Sequence, residues 1–162
     1  MKQEILDVYG KFDINNLPDF FDNLIYLTRK YKKNFYKYVE NEFLEKMVNY
    51  KSDDFIIGHS DDFFDKGIRY YVNNFGEYSE KEIILQVSGL IWSLCVYMIN
   101  QECPVCHQAN LRLLERSGKI YEFCEECLFK SCNGSLLKIE EELFPAKKEL
   151  VLNYLFPKNE RR

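Results

Sequence analysis

The chain has 162 residues, 46% of them hydrophobic, with thirteen Phe, twelve Tyr, six Cys and a net charge of −4. That apolar content supplies a packed core and excludes a disordered chain, and 162 residues suffice for one domain or a domain with a small appendage. The charge is uneven, with 12 basic and 17 acidic side chains in residues 1–102 against 10 and 9 in the rest. Neither part has the basic excess of a nucleic-acid-binding domain.

The opening segment, Met1 to Asp7, lacks the apolar run and cleavage-like site of a secretory leader. With six Cys and no such leader, the expected compartment is the reducing cytosol, and metal binding is favoured over disulfides. Residues 1–16 are otherwise weakly informative. Asn15-Asn16-Leu17-Pro18 reads as a helix start, with Asn as cap and Pro in the first turn. From there apolar residues recur at helical spacing (Phe20, Leu24, Leu27, Tyr31, Phe35, Tyr38, Phe43, Met47). One helix to Tyr50 would span about 50 Å at 1.5 Å per residue, so a break near Asn41 is expected.

Within this run, Arg29 to Lys37 interleaves bases with aromatics. It reads either as a single-strand nucleic-acid surface or, more simply, as an amphipathic helix with Arg29, Lys33 and Lys37 on its solvated face. Lys51 to Asp54 reads as a loop, and Ser60 as the cap of a helix that Gly76 stops. Five Asp, at positions 53, 54, 61, 62 and 65, fall close together with His59, Phe55, Phe63 and Phe64. Helix capping and solvation account for them. The sharper readings are a second metal site from His59, Asp61 and Asp65, or a face formed by Asp53, Asp54, Asp61, Asp62 and Asp65 that docks a basic partner.

Ser79 and Glu82 form a capping box before the apolar run Ile83 to Ile99, which predicts a buried central helix. Seventeen residues interrupted by Gln86, Ser88 and Ser93, with no cationic flanks, argue against a membrane span. This helix runs almost directly into Cys103, so a rigid junction is expected between a helical domain, residues 1–100, and a C-terminal module, residues 101–162.

The module begins with Cys103-Pro104-Val105-Cys106, and Cys124-Glu125-Glu126-Cys127 follows. Between them Leu111–Glu115 and Lys119–Cys124 read as strands joined by a hairpin at Arg116-Ser117-Gly118. Folding back brings the second pair beside the first, so that Cys103, Cys106, Cys124 and Cys127 offer four thiolates to one tetrahedral ion. Cys132 and His107 are spare ligand candidates. Leu128 to Lys130 reads as a further strand, Asn133-Gly134 as a turn, and Ser135 as the start of the stretch from Leu136 to Phe144. Pro145 then opens a last helix that ends before Pro157.

These knuckles and their hairpin resemble the zinc-ribbon family over roughly residues 101–135. The resemblance implies a bound Zn2+ clamped between two knuckles, although His107 stands where many such knuckles carry Gly. Four thiolates leave no open coordination position, so the expected role is structural. A thioredoxin-like redox motif would need a preceding strand in a βαβ setting, and a zinc deaminase a His-x-Glu, which does not occur. The expected fold class is α+β: a mainly helical N-terminal part, then a zinc-ribbon hairpin and a terminal helix.

For function, two His, no Gly-rich phosphate loop and no nucleophile–base constellation count against an enzyme. The favoured reading is a zinc-stapled protein-binding protein whose acidic, aromatic surface masks a basic partner. In size, charge and composition the chain resembles bacterial immunity proteins and antitoxins, which implies a nuclease-like toxin as that partner. The alternative is a nucleic-acid-binding or transcription-associated zinc ribbon using Arg112, Arg116 and Lys119 with the Arg29 to Lys37 face.

Overall fold

The structure is a computed structural model that describes residues 1–58, 62–132, 135–136 and 142–157, the side chains of residues 62–64 and 136 excepted. The fold is α+β, and the chain divides into two compact units. The first comprises Met1–Asp53 and Ile57–Leu94, and the second Asp54–Ile56 with Cys95 onward.

The first unit is helical: α1 (Lys2–Gly10), α2 (Leu17–Lys30), α3 (Lys32–Phe35), α4 (Asn41–Met47), α5 (Asp62–Asn74) and α6 (Glu80–Cys95, entering the second unit at its last residue). Pro18 lies in the first turn of α2, where its missing N–H costs nothing. The apolar spacing of α2 buries Phe20, Phe21, Leu24, Ile25 and Leu27. Residues 1–16, weakly marked in sequence, form α1, which contributes Ile5 and Tyr9 to the core.

The expected break near Asn41 is present, but the helix first ends at Tyr31. Tyr31 leaves helical geometry (φ −106°, ψ 24°), and its hydroxyl donates to Glu4 at 2.7 Å, with Lys30 bound to the same carboxylate at 2.7 Å. Two tertiary bonds to α1 thus hold the turn where periodicity favoured continuation. Phe35 is fully buried, whereas Tyr38, expected on the same face, is 37% exposed. Helix α5 ends at Asn74, and Gly76 sits in the 3-10 turn that follows. The proposed Ser60 cap lies outside the described residues.

Ser79 and Glu82 form the predicted capping box: the Glu82 carboxylate accepts from the Ser79 N–H (2.8 Å) and hydroxyl (2.7 Å), and the Glu82 N–H donates to Ser79 Oγ at 3.3 Å. The helix it opens stops at Cys95, however, and Tyr97–Glu102 is strand β1. The expected helix to Ile99 merged two elements. Around Tyr97-Met98-Ile99 the β-branched and aromatic residues suit a strand, Ile99 is buried between exposed Met98 and Asn100, and β2 claims the backbone. Nor is α6 buried all round. Ile83, Ile84, Val87 and Ile91 are fully buried, while Leu85 is 45% exposed on the opposite side.

The second unit is an antiparallel sheet in the order β1-β2-β3-β4-β5, formed by β1, β2 (Asn110–Arg116), β3 (Lys119–Phe123), β4 (Lys130–Cys132) and β5 (Ser135–Leu136). Strand β6 (Phe144–Pro145) pairs with Leu114 and Glu115 of β2, continuing along the edge where β1, which pairs up to Leu113, leaves off. Pro145 therefore ends a strand pairing, and the last helix, α7 (Lys148–Leu155), starts after it. The expected turn at Asn133-Gly134 and most of the segment from Leu136 to Phe144 lie outside the described residues.

The core of this unit gathers Ile99, Leu111, Leu113, Ala146 and Val151 with Cys103 and Cys124. Helix α7 is tied to the sheet through Tyr154, whose hydroxyl donates to Glu122, and Ser131 Oγ donates to the other oxygen of that carboxylate at 2.5 Å. Burial, then the Glu122 hydrogen bond, pushes the Tyr154 phenol up to about 12.

Candidate metal centre

Strand β2 turns into β3 at Ser117-Gly118, both with positive φ (54° and 74°), the pattern of a two-residue type I′ turn whose twist matches the strands. Arg116 faces Lys119 and Arg112 faces Phe123, so the ends of the hairpin away from the turn lie side by side. The first knuckle leads into β2 and the second leaves β3. Register alone therefore sets the two Cys-x-x-Cys pairs against each other.

Each knuckle closes on its own backbone. The N–H of His107 donates to Cys103 O (3.1 Å), that of Cys103 to Ala109 O (2.9 Å), and that of Cys124 to Phe129 O (3.0 Å). The residue after the second Cys is left-handed in both: His107 at φ 54° and Leu128 at φ 58°. The backbone conformation usually given to Gly is present at His107 without it, held by those bonds against the Cβ penalty.

The four sulfurs of Cys103, Cys106, Cys124 and Cys127 all lie within 4.8 Å of one another. Cys103 Sγ and Cys127 Sγ are 3.5 Å apart, and Cys106 Sγ and Cys124 Sγ 3.6 Å. A disulfide would need about 2.05 Å. A tetrahedral ion with metal–sulfur bonds of about 2.3 Å requires edges near 3.8 Å, which these separations fit. Cys103 and Cys124 are fully buried, Cys106 is partly buried and Cys127 is exposed. His107 and Cys132 do not join the cluster.

Backbone groups prepare the sulfurs. The Val105 N–H donates to Cys103 Sγ at 3.4 Å. Burial pushes the Cys103 thiol up, but the N–H groups of Cys106 and Val105 and the neighbouring sulfurs outweigh it and bring the group down to about 6. Cys127 moves the other way, to about 12, through desolvation and then its three sulfur neighbours. The two groups are thus pushed apart, Cys103 towards the thiolate and Cys127 towards the protonated thiol. A dication held by Cys103, Cys106, Cys124 and Cys127 would offset the repulsion between their charges and favour the thiolate form of its ligands.

The other sequence candidates fare differently. Asp65 is held by Arg69 Nε at 2.7 Å, and Asp54 lies 3.8 Å from Lys147 Nζ. Asp53 is exposed, and the side chain of Asp62, at the start of α5, is not described. Asp61 and His59 lie outside the described residues, and with them the second metal site.

Among the cations considered for nucleic acid, Arg112 pairs with Glu125 at 2.8 Å, and Arg116 donates to Glu142 O at 3.1 Å and stacks over Phe144 at 5.5 Å. Arg29 donates twice to Val48 O, at 3.1 and 2.8 Å, while Lys32 pairs with Glu45 at 2.8 Å and Lys37 with Glu80 at 3.4 Å. The Arg112–Glu125 pair, which bridges β2 to the second knuckle, has no sequence signature, since it depends on register. Among the described residues, no helix is long and apolar enough to cross a membrane.

No protein family, curated protein or solved structure matches the chain.

Proposed function

We propose that the chain is a non-enzymatic protein-binding protein stapled by a structural Zn2+, acting in the cytoplasm on a basic protein partner in the manner of an immunity protein or antitoxin that masks a nuclease-like toxin. The observation that carries the structural role is the closed set of four sulfurs, which leaves no coordination position for water or substrate. The charge supports a cationic partner: the net balance is −4, and many of the bases in the Arg29 to Lys37 and hairpin segments are engaged by the chain's own acids and carbonyls. Phosphate contacts would require them free.

Native mass spectrometry of the protein from its own host, with and without nuclease, tests the reading. The expected result is one zinc and a stoichiometric basic protein that nuclease leaves in place. Zinc with nucleic acid that nuclease removes would replace this reading by the nucleic-acid-binding one.

A further inference from the structure

We propose that the metal end of the second unit is itself the docking surface, and that its occupant is a cationic, amphipathic segment of another protein. This rests on the protein-binding reading above and moves the contact from the Asp53 to Asp65 stretch to the two knuckles.

The first observation is apolar exposure where a structural site does not need it. Val105, between the first two ligands, is 60% exposed, and Leu128, directly after the last, is 69% exposed. Each knuckle thus presents one aliphatic side chain to solvent, and the common sulfur cluster holds both at one end of the unit. Pro104 is also exposed and adds apolar surface beside Val105. Leu128 keeps its side chain outward although its backbone is left-handed, a conformation that Gly would adopt at lower cost. Apolar groups gathered in this way mark interaction sites.

The second observation is charge. Glu102, Glu125 and Glu126 are exposed at the same end. Arg112 neutralises Glu125, but among the described residues neither Glu102 nor Glu126 has an ion-pair partner. Four thiolates around a dication would retain two negative charges, and the most exposed sulfur-bearing residue of the four is Cys127. The opposite end of the hairpin carries Arg116 and Lys119 beside Glu115, and at the metal end Arg112 is engaged by Glu125 while Lys130 lies over the Phe123 ring. An apolar pair rimmed by carboxylates and an anionic metal cluster complements Lys or Arg flanking aliphatic side chains, and repels nucleic acid. The aliphatic contacts supply affinity and the carboxylates steer the approach.

The test uses the full zinc-loaded chain, observed by amide NMR and titrated with three probes: a lysine/leucine amphipathic peptide, its glutamate/leucine counterpart, and a DNA duplex. The lysine/leucine peptide is expected to shift Val105, Leu128, Glu102 and Glu126, and its affinity to fall at least tenfold in the V105S/L128S double variant with one zinc per chain retained. Shifts at Asp53 and Asp65 instead, unaffected by the double variant, would overturn this surface while leaving the protein-binding reading in place. Absence of binding to the cationic peptide, or preference for the duplex, would overturn both.

Discussion

The first unit closes its core mainly with aliphatic and aromatic side chains, Ile5, Phe21, Leu24, Leu44, Ile83 and Ile84 among them, and its buried Thr28 and Ser88 hydroxyls donate to carbonyls of their own helices. The second buries Val96, Leu111, Leu113, Leu114, Phe144 and Val151 among others, but two members of its core, Cys103 and Cys124, are candidate metal ligands. A core that includes its own metal ligands would draw on the ion for part of its folding free energy. Apolar periodicity stabilises one region, whereas the other places candidate metal ligands inside its core.

Removing the metal breaks the comparison most severely. Chelation, or Cys124→Ser, is expected to cost the second unit several kcal/mol and unfold its sheet, because structural zinc supplies folding free energy outright. Trp92, whose ring packs edge-on against Phe43 at 5.7 Å, reports on the first unit, and its fluorescence should stay native. Hydrogen exchange read segment by segment would show protection lost from β1 to β4 only. Loss across α2 and α6 as well would mean that the units fold as one.

The converse cut is Ile84→Ala, which deletes buried atoms of α6 and is expected to destabilise the first unit by about 2–5 kcal/mol. A urea titration followed at Trp92 should show the midpoint fall, while cobalt substituted for the metal keeps its thiolate absorption bands.

Ser79→Ala removes the cap of α6 and is expected to cost about 1 kcal/mol. The same box has a pH signature. Its hydrogen bonds from Ser79 hold the Glu82 carboxyl below the usual range. Their stabilisation is fully present above the ordinary carboxylate pKa and is lost as pH falls through that value towards the lowered one. Thermal melts across acid pH should therefore show a smaller dependence in the Ser79→Ala variant.

The smallest effect sharpens the second unit. His107→Gly relieves a left-handed non-glycine residue and is expected to stabilise the unit by about 0.5–1 kcal/mol, read from chelator competition or the melting of its sheet. A loss instead would assign the His107 side chain a contact of its own.

Much of this was legible beforehand. The apolar rhythm of α2, the capping box at Ser79 and the two Cys-x-x-Cys pairs around a Ser-Gly hairpin are local patterns, and local patterns survive folding because their partners lie within a few residues. The sequence by itself determined that α+β layout and the four ligand candidates. Only the tertiary structure decided where helices stop against the periodicity: at Tyr31, where Glu4 takes its hydroxyl, and at Cys95, where β2 recruits the following residues as a strand. It decided too that Arg112 serves Glu125 and Arg116 a carbonyl, and that Val105 and Leu128 stay in solvent beside the metal cluster. The physical reason is common to all four. Each depends on a partner or an exposure created by long-range register, which no spacing within the chain encodes.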